Sequence, residues 1–234
     1  MIVLENAGKA FNDKWAVRGL DIRVQKREIF GLLGPNAAGK TTTIKMMTGL
    51  LEPTEGRILI NGFDIVKEPI KAKSAFGYVP DKAFLYEKLR GREFLKFIAS
   101  IHGISKSAAM KKIEQLSGFF GITEIEDELI ESYSQGMRQR LLFLSALLHE
   151  PSVLIIDEPF VGLDPFGVRM LKDVILNLRA EGATVFLATH SLHIAEELCD
   201  RVGLISRGLL VSLKKKEEFI REGGLEAFFI RINS

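Results

Sequence analysis

The stretch Gly34-Pro35-Asn36-Ala37-Ala38-Gly39-Lys40-Thr41 fits the phosphate-binding pattern G-x-x-x-x-G-K-[ST]. An apolar, strand-like segment (28–33) precedes it, and a helix-like segment (42–48) that Gly49 can stop follows. Strand, glycine loop and helix in that order are the context in which the pattern carries meaning. Backbone N–H groups of such a loop, continued by Thr42 at the helix start, point at a bound phosphate. Lys40 adds a cation near the β- and γ-phosphates, and the Thr41 hydroxyl can ligate Mg²⁺.

The rest of the chain narrows the class. Its 234 residues suffice for one large domain or a core with a subdomain, and 47% hydrophobic with 26% charged residues is ordinary for a globular core. A net charge of +2 gives no footprint for nucleic acid. The basic run Lys214-Lys215-Lys216, followed by Glu217 and Glu218, reads as a solvated helix start. Cys199 is the single cysteine, so no disulfide forms within the chain, and its apolar neighbours make it a buried filler. The N-terminus reads as a short strand, and no apolar run reaches the roughly 18 residues of a membrane helix. These features lead us to expect a cytoplasmic protein that reaches a membrane only through a partner.

The apolar period changes along the chain. Leu20, Ile22 and Val24 alternate with polar residues, and 57–62 reads as another strand with a turn. The two suggest an antiparallel β piece around the phosphate-loop unit. Segment 76–80 is strand-like and stopped by Pro80; 91–102, 107–119 and 138–149 are helical in pattern. The continuous apolar runs 153–156 and 184–188, with a helical stretch 167–181 between them, mark parallel strands buried on both faces. Segments 202–206 and 209–213 read as a hairpin turning at Arg207-Gly208. The expected fold is α/β: a parallel-sheet phosphate-loop core with an antiparallel β subdomain (1–80 and 141–213), a helical subdomain (81–140) and a tail (214–234).

Asp157 and Glu158 close the buried strand 153–156. A carboxylate there can hold Mg²⁺, and the next can point at an attacking water. His190 follows the next buried strand; loops at the C-terminal ends of parallel strands gather at the ligand, so His190 can reach a γ-phosphate.

At this point the chain resembles, over nearly its full length, the ATP-binding subunit of an ABC transporter. Residues 34–41 are similar to the family's Walker A motif. Tyr133-Ser134-Gln135-Gly136-Met137 resembles its signature, 154–158 its Walker B, Gly162-Leu163-Asp164-Pro165 its D-loop and His190 its switch histidine. The resemblance implies ATP and Mg²⁺ as ligands, hydrolysis as the reaction, a second ATP-binding subunit set head to tail, and an integral membrane permease as partner. Each ATP then lies between Walker A of one chain and Ser134–Gly136 of the other, with Asp164 coupling the two sites. Ser134 and Gly136 would start the helix through Arg138, whose N-terminus is a second anion site. Glu158 is the expected base, His190 the γ-phosphate contact and Lys40 the charge partner. Thr41 and Asp157, with Asp81 as a further candidate, are the metal ligands.

Phe11 lies 23 residues before Gly34, where the family has an adenine-stacking aromatic; Trp15 is the rival, and we favour Phe11. Three residues depart from the family pattern. Ala37 stands where Gly is usual and is costly only if φ is positive there. Tyr133 and Gln135 give the signature the style of drug, lipid or polysaccharide export systems. Pro80-Asp81 replaces Pro-Gln of the Q-loop, from which we expect a hinge and a weakened metal contact. Phe84, Leu85 and Tyr86 follow at the groove expected to receive the permease, with core packing the competing role for Leu85. The alternatives are a soluble ATPase of the same family acting on ribosome or DNA, and a solitary phosphate-loop GTPase or kinase. The chain has neither a second cassette nor an Asn-Lys-x-Asp guanine motif.

Overall fold

The computed structural model describes residues 1–82, 84–226 and 229. Along the chain run β1 (Ile2–Phe11), β2 (Lys14–Val24), β3 (Ile29–Leu33), α1 (Lys40–Met47), β4 (Glu55–Ile60), β5 (Phe63–Asp64), α2 (Pro69–Ser74) and β6 (Phe76–Val79). Next come α3 (Gly91–Ile101), α4 (Lys106–Phe120), α5 (Gln135–Leu147), β7 (Val153–Asp157), α6 (Pro165–Ala180) and β8 (Thr184–Thr189). The chain closes with α7 (Leu192–Leu198), β9 (Arg201–Ser206), β10 (Leu209–Lys215) and α8 (Lys216–Arg221).

A six-stranded sheet in the order β10-β9-β3-β8-β7-β6 forms the centre. Every pairing in it is parallel except that of the edge strand β10. The apolar runs explain why: β3, β7 and β8 are buried along their whole length, as strands covered on both faces must be. Strand alternation then sends side chains to two separate cores. Ile29, Leu33, Leu154, Ile156, Val185 and Leu187 meet α3 to α8 on one face. Phe30, Leu32, Val153, Ile155, Phe186 and Ala188 meet α1, α2 and the second sheet on the other.

That second sheet, β2-β1-β4-β5, is antiparallel. Leu20, Ile22 and Val24 of β2 point inward while Asp21 and Arg23 face water, as the alternation requires. The parallel α/β core and the antiparallel piece are therefore as read from the sequence. Strand β1 is longer than the short N-terminal strand expected, since it spans both partners β2 and β4.

Helix α5 begins at Gln135, three residues before the periodic signal, because Ser134 caps it through Met137 N at 3.3 Å. It runs unbroken across residue 140, the expected edge of the helical subdomain, and buries Leu141–Leu144 in the first core. The lysine run is only in part a helix start: Lys214 and Lys215 finish β10, and α8 opens at Lys216. Lys214 is half-buried and paired with Glu222. Cys199 is buried against Gly31, and burial pushes its thiol up to about 12. Residues 227, 228 and 230–234 of the expected tail lie outside the described residues.

Candidate active site

Register brings three strand ends to one edge of the sheet. Leu33 at the end of β3 pairs with Thr189, and Asp157 at the end of β7 pairs with Ala188. The phosphate loop, Asp157-Glu158 and Thr189-His190 therefore leave the sheet side by side, at the C-terminal edge where ligands of such sheets bind. The loop is seated by close approach: a side chain at Gly34 would lie 2.3 Å from the Ile205 carbonyl oxygen of β9. Lys40, buried at the start of α1, folds back over the loop. Its Nζ donates to Gly34 O at 2.7 Å and Pro35 O at 3.2 Å.

Glu158 is the hub of the site. Its Oε1 lies 3.3 Å from Lys40 Nζ. Its Oε2 accepts from Thr189 Oγ1 at 3.2 Å and from His190 N at 3.3 Å, and lies 2.9 Å from His190 Nδ1. The backbone turns sharply there, with φ 47° at Glu158 and its N–H held by Ala188 O at 2.9 Å. That turn is what lets the carboxylate reach both neighbours.

Asp157 is 1% exposed, and its Oδ1 is buried with no hydrogen-bond partner. Burial pushes its carboxyl up to about 6; Glu158 and Asp81 nearby add to the rise, while the bond from Thr41 opposes it. An orphaned buried carboxylate oxygen beside a threonine hydroxyl is a donor set that suits a hard divalent cation. Thr41 and Asp157 thus fit Mg²⁺.

Above these groups lies a cavity of about 550 Å³. Its walls are residues 36–42, Trp15 and Ala16 of β2, Asp81, Glu158 and Arg207. The shorter Asp81 side chain therefore still faces the loop. Ala37 has φ 63°, so the residue standing where glycine is usual pays the left-handed cost.

Phe11 does not line this cavity; Trp15 does. Phe11 pairs across the hairpin with Lys14, and Ala10 pairs with Trp15. Cross-strand partners share a face and successive residues do not, so Phe11 and Trp15 project from opposite faces. A cation lies over each ring, Lys9 Nζ 5.6 Å from the Phe11 centroid and Arg18 Cζ 5.0 Å from that of Trp15, so only the face each occupies separates them. The choice between the two depends on hairpin register, which spacing from the phosphate loop does not contain. Thr189 and Arg207 were not singled out from the sequence. Thr189 had a usable signal in its place before His190, and Arg207 in its turn of the hairpin.

Ser134, Gln135 and Gly136 line a different cavity, of about 320 Å³, together with Gly162, Leu163, Asp164 and Phe166. The Ser134 hydroxyl is not free, since it caps α5. Gln135 Nε2 donates to Val161 O at 3.2 Å, and Asp164 caps α6 by accepting from Gly167 N at 2.7 Å. Tyr133 is buried with its hydroxyl on Ile125 O at 2.6 Å, which anchors the signature beneath α3. The two cavities share no residue.

After Asp81, Phe84 is 93% exposed and Tyr86 58% exposed, while Leu85 packs against the first core. Tyr86 meets Phe97 of α3 edge to face at 5.7 Å. Among the described residues no helix is long and apolar enough to cross a membrane.

The chain has relatives throughout this architecture. A family described as ABC transporter matches residues 17–161. The linearmycin resistance ATP-binding protein LnrL of Bacillus subtilis is 38% identical over 96% of this chain and 72% of its own. The daunorubicin resistance ATP-binding protein DrrA3 of Streptomyces coeruleorubidus is 35% identical over 95% and 71%. A solved ATP-binding subunit of an ABC transporter superposes with a TM-score of 0.93 at 29% identity, covering 100% of both chains. With phosphate loop, paired carboxylates, histidine and signature on this scaffold, the chain belongs to the ABC transporter family as one of its ATP-binding subunits.

Proposed function

We propose that this subunit hydrolyses ATP, with Mg²⁺, at a site completed by a second copy or a homologous chain, and that the cycle drives export through a separate membrane permease. One observation carries the reading. Lys40, Thr41 and Glu158 line the phosphate-loop cavity, with Asp157 bonded to Thr41 and His190 to Glu158, while Ser134–Gly136 line another cavity that shares none of its residues. Each half lacks what the other has, and a head-to-tail pair joins them. The relatives named for linearmycin and daunorubicin resistance support export, and the match to a family described as ABC transporter disfavours a ribosome or DNA role.

In this reading Lys40 exchanges its carbonyl partners for phosphate oxygens. Glu158 accepts a proton as water oxygen bonds to the γ-phosphorus and the β–γ bridging bond breaks. His190, fixed through Glu158, contacts the γ-phosphate. Thr41 and Asp157 hold Mg²⁺, which when bound neutralises charge on the phosphate oxygens. Residues 34–39 and Thr42 supply backbone donors, and Trp15 is the base platform in place of Phe11. Ser134, Gln135 and Gly136 reach the partner's nucleotide, and Asp164 links the two sites. We assign the helical subdomain, read as 81–140 and continued by α5 to Leu147, as the unit that moves against the rest of the core, with Asp81 at the hinge and Phe84 and Tyr86 receiving the permease. An Asp81→Gln variant with unchanged rate and unchanged Mg²⁺ dependence removes any metal role for Asp81.

The deciding experiment measures phosphate release from ATP and GTP by the parent and the association state of Glu158→Gln with ATP. The reading expects ATP hydrolysis, and an ATP-dependent dimer of the variant. A variant that stays monomeric at saturating ATP overturns it.

A further inference from the structure

The hairpin turn Arg207-Gly208 is built against the phosphate loop rather than away from it. Gly208 N donates to Ala38 O at 2.9 Å, and Gly208 O accepts from Arg18 N at 2.9 Å. Gly208 is packed so closely that a side chain there would lie 2.6 Å from Ala16 O. The turn is thus pinned on two sides, and Arg207 emerges from it into the wall of the 550 Å³ cavity.

Arginine is a poor choice for the turn itself. Both turn residues have positive φ, 48° at Arg207 and 80° at Gly208. A two-residue hairpin of that kind prefers Asn, Asp or Gly at its first position. Asn and Asp aside, five described non-glycine residues have positive φ: Arg27, Ala37, Glu150, Glu158 and Arg207. Three of the five, Ala37, Glu158 and Arg207, line this one cavity. Strain gathered in one place is the pattern of a functional site. Arg207 is exposed, and among the described residues its guanidinium has no hydrogen-bond or ion-pair partner, so no protein group holds it away from a ligand in the cavity that Arg207 lines.

Resting on the nucleotide reading of the cavity, we infer that Arg207 is a further nucleotide-binding residue, contacting the sugar and α-phosphate portion. Its anchors set the position. Gly208 packs on Ala16, next to Trp15, the proposed base platform, and bonds Ala38 in the loop. Glu158 and Asp81 stand with Lys40 and Thr41, where the terminal phosphates belong. A guanidinium at the sugar end gives charge-assisted hydrogen bonds to oxygens that ATP and ADP share.

The test uses Arg207→Asn, which suits the turn, with ATP and ADP as probes in equilibrium titrations alongside thermal melting. Both dissociation constants are expected to rise by the same factor, about fivefold to tenfold. The melting temperature is expected to hold or rise, because Asn tolerates the left-handed region. Unchanged constants overturn the assignment, as does a loss confined to ATP or a loss accompanied by a fallen melting temperature. A parent that binds neither nucleotide takes the reading of the cavity down with it. A parent that binds both, with a variant that binds equally well, removes the Arg207 assignment alone.

Discussion

Lys40 Nζ stands 3.3 Å from Glu158 Oε1 inside a largely buried site, so cation and carboxylate neutralise one another before any nucleotide arrives. Phosphate must compete with that carboxylate for Lys40. Glu158→Gln removes the competitor and the proposed proton acceptor together. ATP affinity is then expected to rise severalfold while phosphate release falls by about 100-fold or more. Turnover at the parent rate would show that Glu158 is not the base.

Asp157 carries a stability cost in the metal-free protein. Its folded pKa of about 6 lies above the usual ~3.9 of an unfolded chain. Stability is therefore greatest while both states hold the proton, falls as pH rises from about 4 to 6, and stays reduced above that. Asp157→Asn is expected to raise the melting temperature at pH 7.5 by about 2–5 °C without Mg²⁺. The gain should narrow below pH 6, and Mg²⁺ should no longer stabilise the variant. Melting curves from pH 4.5 to 8 decide it; a variant less stable at pH 7.5 contradicts the account.

Ala37 offers a simple gain. Its left-handed φ of 63° costs about 1 kcal/mol that glycine does not incur. Ala37→Gly is expected to melt about 2 °C higher and to bind ATP at least as well. A lower melting temperature would mean that the alanine methyl contributes packing worth more than the strain.

Trp15 is the only tryptophan, so intrinsic fluorescence reports on the cavity directly. ATP is expected to change that signal. Trp15→Ala should weaken binding by about fivefold, the loss of roughly 1 kcal/mol of stacking. Phe11→Ala should stay within about twofold. The reverse order would restore Phe11 as the base platform.

His149 ties the end of α5 to the sheet through a 3.0 Å bond between Nε2 and Phe76 O, and its ring stacks on His102 of α3's C-terminus at 3.8 Å. Burial, then the His102 and Lys112 charges, lower its pKa to about 4, against the pull of the Phe76 bond. Burial lowers His102 as well. The unfolded chain protonates first, near pH 6.5, so stability is full above that pH and is lost as pH falls toward 4. His149→Asn keeps a donor without titrating, and should flatten the decline in urea midpoint between pH 6.5 and 4.5. An undiminished slope would place the acid sensitivity elsewhere.

The sequence made the edge that holds the proposed site legible because each of its parts is local. The phosphate loop, the pair Asp157-Glu158 and His190 each sit directly beyond an apolar run, and parallel pairing alone then brings them together. Contacts set by register or by distant folding were not legible. Phe11 and Trp15 are separated only by which face of a hairpin each occupies. Arg207 lines the same cavity as the loop because Gly208 N bonds Ala38 O, a contact spanning most of the chain. The backbone angle at Ala37 could be posed as a question from its residue type, but only the folded loop answers it.

Helix α5 is a single rod with Ser134 capping one end and His149 just beyond the other. Its 13 residues make it about 20 Å long. With the far end held at Phe76, the signature becomes the tip of a lever whose fulcrum lies on the edge strand β6. A tilt of about 10° at that fulcrum moves Ser134 by about 3 to 4 Å over such a length, more than the reach of a hydrogen bond. A small rotation at the base is thus enough to connect or disconnect the tip from whatever anion it faces.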